Sequence, residues 1–202
     1  FDVRAEMLDE AIEVIRLLWE GGQQSHYGMY YTVENARIYT LPDPLPQIMI
    51  AAAGEKAGEL AGRMGDGLIS TSPDDKVVKA FADGKGDKRP KYGQFTVCVA
   101  DNEAKTRKTA YEWWPTAAVK GELGQELPLP AHFEQAAQMV TEDDVAEAVI
   151  CGSDPQKHLE QIQKYVDAGF DHIYVHQVGP DQEAFFRFYR EKILPEFQKQ
   201  YA

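Results

Sequence analysis

The chain has 202 residues, 44% of them hydrophobic, enough to bury the core of one domain or at most two. Its 33 acidic and 21 basic side chains leave a net charge of -12, which argues against broad binding to nucleic acid or to an anionic membrane. Cys98 and Cys151 lie far apart and in no CxxC pattern, so neither a disulfide framework nor a zinc site is expected, and a reducing cytoplasm suits them.

No signal-peptide pattern opens the chain, and no apolar run approaches the roughly 20 residues needed to span a bilayer, so a soluble protein is expected. Met7, Leu8, Ala11, Ile12, Ile15, Leu18 and Trp19 recur at helical spacing before a Gly21-Gly22 stop. The next stretch, SHYGMYYTVENARIYTLPDPLP, alternates tyrosines and β-branched residues around turn formers, which predicts short extended pieces and a proline-rich connection.

QIMIAAAGEKAGELAGRMGDGLISTSP, Gln47 to Pro73, then reads as strand (Gln47 to Ala51), helix (Glu55 to Met64) and strand (Gly67 to Ser70), a βαβ unit. A helix from Asp74 or Asp75 to about Ala82, a polar loop GKGDKRP and a strand in KYGQFTVCVA follow. The helix in NEAKTRKTAYEWWP ends at Pro115. Residues 116–130 read as irregular. Two short helices are expected at 132–140 and 142–149, the second capped by Thr141 with Asp144 three residues on, so that approximately 116–150 forms a helical insertion. Ser153 or Asp154 opens another helix with Pro155 in its first turn and Leu159, Ile162, Tyr165 and Val166 on one face. DHIYVHQ is the last strand, and a final helix runs from Asp181 to about Gln198.

Four strands alternating with helices predict an α/β fold with a parallel four-strand core, half the units of a (β/α)8 TIM barrel, which typically needs about 250 residues. Phe1 stands where an initiator Met is expected, so residues 1–202 read as a single partial domain that has lost residues upstream. Ala52, Ala53 and Gly54 end the first core strand with small residues, which serve either tight helix packing or the approach of a ligand to the backbone. Thr71 and Ser72 end the second, and Ser72 is also a candidate helix cap before Pro73. His172, Tyr174 and His176 share one strand face, and with no third ligand a hydrogen-bonded barrel interior is expected rather than a metal site. His176 and Gln177 close that strand at the rim where TIM barrels place chemistry.

AAAGEKAGELAGRMGDGLIST, followed at a distance by SDPQKHLEQIQKYVDAGFDHIYVHQVGPDQEAFFRFY, resembles the C-terminal half of the bacterial-luciferase-like superfamily. Within it the likeness is to the coenzyme F420-dependent oxidoreductases related to F420-dependent glucose-6-phosphate dehydrogenase, and it runs the length of the chain. The resemblance implies the C-terminal half of a TIM barrel that moves hydride between F420, or alternatively FMN, and a small organic substrate. It implies cofactor phosphate contacts on the backbone of Ala52, Ala53 and Gly54, and a substrate-side place for Thr71 and Ser72. The family's catalytic His, Trp and Glu fall in the absent N-terminal half. Its cationic phosphate-holding positions fall on Asp74, Gln135 and Ala148, so glucose 6-phosphate is not the expected substrate. Four barrel strands leave open edges, which predicts a homodimer of little or no activity in isolation. A non-catalytic half-barrel assembly module is the alternative.

Overall fold

The computed structural model describes residues 3–100, 102–121 and 123–201. They form two compact units, one running through Gly93 and including Asp167–His172, the other holding Gln94–Val166 and the residues from Ile173 onward.

In the first unit, α1 (Arg4–Trp19) buries Ile12 and Val14, and its chain leaves through Gly21 and Gly22 at φ +77 and +72, the left-handed region that favours glycine. The Glu10 carboxylate reaches from α1 into the next turn. It accepts the backbone N–H groups of Met29, Tyr30 and Tyr31 and meets His26 Nε2 at 3.1 Å, which pins the antiparallel hairpin of β1 (Gln24–Tyr27) and β2 (Thr32–Ala36). The expected βαβ unit follows: β3 (Met49–Ala51), α2 (Glu55–Met64) and β4 (Gly67–Ser70), with the two strands in parallel register, Met49 opposite Gly67 and Ala51 opposite Ile69.

α3 (Asp75–Phe81) is capped by Asp74, whose carboxylate accepts the Lys76 N–H; Asp74, not Ser72, therefore performs the capping. The chain then passes through a π-turn over Ala82–Gly86, kinked at Lys85 with φ +73, where the sequence indicates the start of a polar loop. Close backbone packing explains the difference. A Cβ on Gly62 of α2 would sit 2.1 Å from the Phe81 carbonyl oxygen, and one on Gly84 would sit 2.4 Å from that of Glu59. Glycine at both points lets the π-turn lie directly against α2.

β5 (Lys91–Cys98) begins in this unit, its first three residues parallel to β4, and continues into the second. There α4 (Glu103–Trp113) starts at an Asn102 cap and ends before Pro115. Residues 116–130, expected to be irregular, include most of a 3-10 turn at Pro115–Ala118 and all of α5 (Leu123–Glu126). α6 (Pro130–Ala137) and α7 (Glu142–Ala148) are the two short helices, and Thr141 with Asp144 completes a capping box in both directions. β6 (Ile150–Cys151) pairs parallel with the end of β5. Two residues carry no alternation, so this strand was illegible in the sequence. α8 (Pro155–Asp167) leads to β7 (His172–Gln177), which also pairs with β5. Bonds from Asp171 N to Lys91 O and from Val178 N to Val97 O advance in the same direction along both strands, the parallel sense. The final helix is interrupted: α9 (Gln182–Phe188), a π-turn at Tyr189–Ile193, and α10 (Leu194–Tyr201). Asp181 caps it.

The second unit has a polar core residue that the sequence did not announce. His158 of α8 is fully buried, with Nδ1 2.9 Å from the Tyr189 hydroxyl and Nε2 3.1 Å from the Gly152 carbonyl. A neutral ring meets both partners, donating from Nε2 and accepting at Nδ1. Burial lowers its pKa below the usual 6.5, against the opposing pull of the Gly152 carbonyl. The folded form therefore refuses a proton that the unfolded form accepts. Stability is fully present above pH 6.5 and falls as the pH drops from there toward the folded pKa. Denaturant midpoints measured between about pH 8 and pH 5 should decline from near 6.5, and His158→Gln should flatten that portion of the curve. An unchanged slope in the variant would remove His158 from the account.

Candidate functional site

The sequence-indicated residues all stand at C-terminal ends of strands. In the first unit the Ala52 N–H donates to the Ile69 carbonyl at 2.9 Å, continuing the β3–β4 ladder and setting the turn after β3 beside the turn after β4. Ala52 is buried, while Ala53, Gly54 and Thr71 are exposed. Gly54 is the N-cap of α2 in extended backbone (φ -159), and a Cβ there would meet nothing within 4 Å. Its φ makes no demand for glycine. The space in front of it is open.

Among the described residues no side chain caps α2 at this end. The first-turn N–H groups of a ten-residue helix thus lie at the positive end of its dipole, with the Glu55 carboxylate in the same turn. Across the ladder, Ser70 is buried and its hydroxyl sits 3.3 Å from both the N–H and the carbonyl of Ser72, closing the turn that carries Thr71. Backbone donors and an exposed hydroxyl therefore occupy neighbouring strand ends.

In the second unit the strand-end pair divides its labour. Both ends of the Gln177 amide are spent on Val99, its Oε1 accepting the Val99 N–H at 3.0 Å and its Nε2 donating to the Val99 carbonyl at 3.4 Å. Gln177 thereby fixes the segment after β5. His176 is half-buried, its Nδ1 3.4 Å from the Thr96 hydroxyl and its ring edge-on to Trp114 at 5.0 Å between centroids. Its Nε2 has no partner among the described residues. Trp114 escaped sequence reasoning because adjacent tryptophans at a helix end more often signal packing. Further along the face, Tyr174 is 60% exposed and His172 is exposed beside Asp171, so the expected hydrogen-bonded interior holds at His176 and Thr96 but opens to solvent at Tyr174. Among the described residues no group of three or more His, Cys, Asp or Glu could hold a metal, and no helix is long and apolar enough to cross a membrane.

A cleft of about 560 Å³ lies at the other ends of the strands, lined by Arg16, Gln47, Asp66, Arg89 and Pro90. Its guanidiniums have structural work. Arg89 donates to the Gly62 and Gly65 carbonyls at the end of α2, and Arg16 to Met64 O and Asp66. Because TIM-barrel chemistry gathers at the C-terminal strand ends, this cleft is not the candidate site.

The chain matches the luciferase-like monooxygenase family over residues 1–172. It is 35% identical to an F420-dependent glucose-6-phosphate dehydrogenase of Microbacterium testaceum, an alignment covering 98% of this chain and 62% of the relative. A second enzyme of that name, from Nakamurella multipartita, is 32% identical, with 95% and 60% covered. Among solved structures, an F420-dependent secondary alcohol dehydrogenase in complex with an F420-acetone adduct superposes with a TM-score of 0.81 at 23% identity, covering 95% of this chain and 62% of that one. That likeness establishes the α/β barrel-type fold. The chain spans about three fifths of the length of the curated relatives it matches. By the extent of its match and the fold it shares, the chain belongs to the luciferase-like monooxygenase family, whose members are enzymes.

Proposed function

We propose that these residues form the cofactor- and substrate-positioning half of a TIM-barrel oxidoreductase dependent on coenzyme F420. The uncapped N-terminus of α2, opening on empty space at Gly54, carries the proposal, and the F420-dependent relatives name the cofactor. When bound, the deazaflavin supplies the hydride chemistry. This chain's part is to hold and orient. The N–H groups after Ala52 and Ala53 receive the anionic end of the cofactor, Thr71 and Ser72 stand at the substrate side, and His176 presents Nε2 at the rim. Gln177 is a positioning residue acting through Val99. The groups that move protons to and from substrate belong to the other half of the barrel.

Fluorescence titration of the whole protein with F420 and with FMN tests the cofactor. F420 should bind and FMN should bind far more weakly, and the reverse order would overturn the assignment. For the substrate we expect a small organic molecule without a phosphate dianion. Asp74 is a carboxylate already used as a cap, and Gln135 and Ala148 supply no cation. Glucose 6-phosphate should give no useful turnover. Efficient reduction of F420 with that sugar would show that other residues hold the phosphate.

For the 202 residues by themselves we propose self-association as a homodimer without turnover. Among the described residues β3 stands at the end of the strand order with one edge unpaired, and Tyr174 exposes 60% of its surface on the strand face. Light scattering at micromolar concentration should report a dimer, and a stable monomer would exclude it. A dimer that binds no F420 would favour the reading of the chain as an assembly module.

A further inference from the structure

Two buried groups play no part in the proposed chemistry, the thiols of Cys98 and Cys151. They sit directly opposite each other in the parallel register of β5 and β6, next to the pair Val97 and Ile150. In-register residues of neighbouring strands project to the same face, and both cysteines enter one apolar cluster with Ala110, Val145 and Val149. Neighbouring strands lie about 4.7–4.9 Å apart, inside the range of about 4.4–6.8 Å between Cα atoms that a disulfide requires. The Gly152 N–H donates to the Cys98 carbonyl at 2.9 Å and fixes this spacing one residue beyond the pair.

The two thiols differ in access. Cys98 is 2% exposed. Cys151 is 7% exposed and forms part of the wall of a cleft of about 330 Å³ whose other walls include Glu103, Arg107, Glu147 and Lys157. Cys98 is absent from the walls of that cleft, so a small polar oxidant entering between those charges meets Cys151 and not Cys98.

We propose that Cys98 and Cys151 form a dithiol modification site, in which a small disulfide of the glutathione class entering the charged cleft oxidises the pair to an intrachain disulfide. The Cys151 thiolate attacks one sulfur of the oxidant, forming a mixed disulfide and releasing one thiol. The Cys98 thiolate then attacks Cys151 Sγ, forming the Cys98–Cys151 bond and releasing the second thiol. Two protein thiols lose two electrons and two protons, and the oxidant is reduced to two thiols. Burial pushes both thiols up to about 11, against the pull of Arg107 and Lys157 at Cys151, so the reaction is slow at neutral pH and quickens as the pH rises.

The test is oxidation of the folded whole protein with glutathione disulfide at mildly alkaline pH, followed by alkylation, trypsin and mass spectrometry. Cys98 falls in the peptide Tyr92–Lys105 and Cys151 in Gly121–Lys157, so a link between them is read directly. The expected product is that linked pair, reversed by a reducing thiol. Cys98→Ser should stop at a glutathione adduct on Cys151, whereas Cys151→Ser should leave Cys98 unmodified. Separate adducts on both cysteines without a link, or no reaction until the protein is unfolded, would overturn the proposal.

Discussion

Ala53→Glu should weaken binding of F420 to the whole protein by roughly 30-fold or more while leaving its folding nearly intact. The new carboxylate would stand one residue before the α2 N-cap, among the N–H groups proposed to receive an anion. Two like charges about 4 Å apart repel by about 4 kcal/mol at the effective dielectric of a protein surface, and allowing half of that for solvent leaves about 2 kcal/mol. Folding has little to lose, because Ala53 is exposed and surface changes away from special features usually fall within about 0.5 kcal/mol. Ala53→Gln separates bulk from charge and should lose much less affinity. Fluorescence titration of both variants decides the matter. Equal affinity for Ala53→Glu and the parent would place the cofactor's anionic end elsewhere.

The elements that position this site were legible because local signals agreed with the fold. Gln47 to Ser70 states its βαβ unit in an apolar run, a helical period and a second apolar run, and the parallel register of β3 and β4 follows. Thr141 and Asp144 announced a cap that the structure completes. Long-range packing was not legible. The π-turn at Ala82–Gly86 exists because Gly84 meets the backbone of α2, more than twenty residues earlier in the chain. Likewise, the spacing from Ser70 to Asp74 does not reveal which polar residue caps α3, since Ser70 turns inward to close the preceding turn. Nothing in the helical period of α8 distinguishes His158, and only its burial against Tyr189 and Gly152 gives it a role.

Gly62→Ala should be among the most damaging single-methyl additions available in the first unit. Alanine ordinarily stabilises a helix interior by about 1 kcal/mol over glycine. Here its methyl would lie 2.1 Å from the Phe81 carbonyl oxygen and 2.9 Å from Gly84 Cα, both backbone atoms that cannot swing aside as a side chain can. Gly58, one turn earlier, would meet the Val77 carbonyl at 2.8 Å, so α2 touches the α3 segment along a seam marked by Gly58 and Gly62. Overpacking a well-filled contact costs about 1–3 kcal/mol, and the upper end applies where backbone must move, so a net loss of about 2 kcal/mol is expected once about 1 kcal/mol of helix propensity is credited. Gly54→Ala is the internal control, since a Cβ there meets nothing within 4 Å, and its stability should be close to the parent's. Thermal and denaturant melts of both variants give the comparison. The same seam sets where the N-terminus of α2 points, so Gly62→Ala should also lose F420 affinity even in the fraction that folds. A Gly62→Ala protein as stable as Gly54→Ala would mean that α2 and the π-turn do not lie in backbone contact.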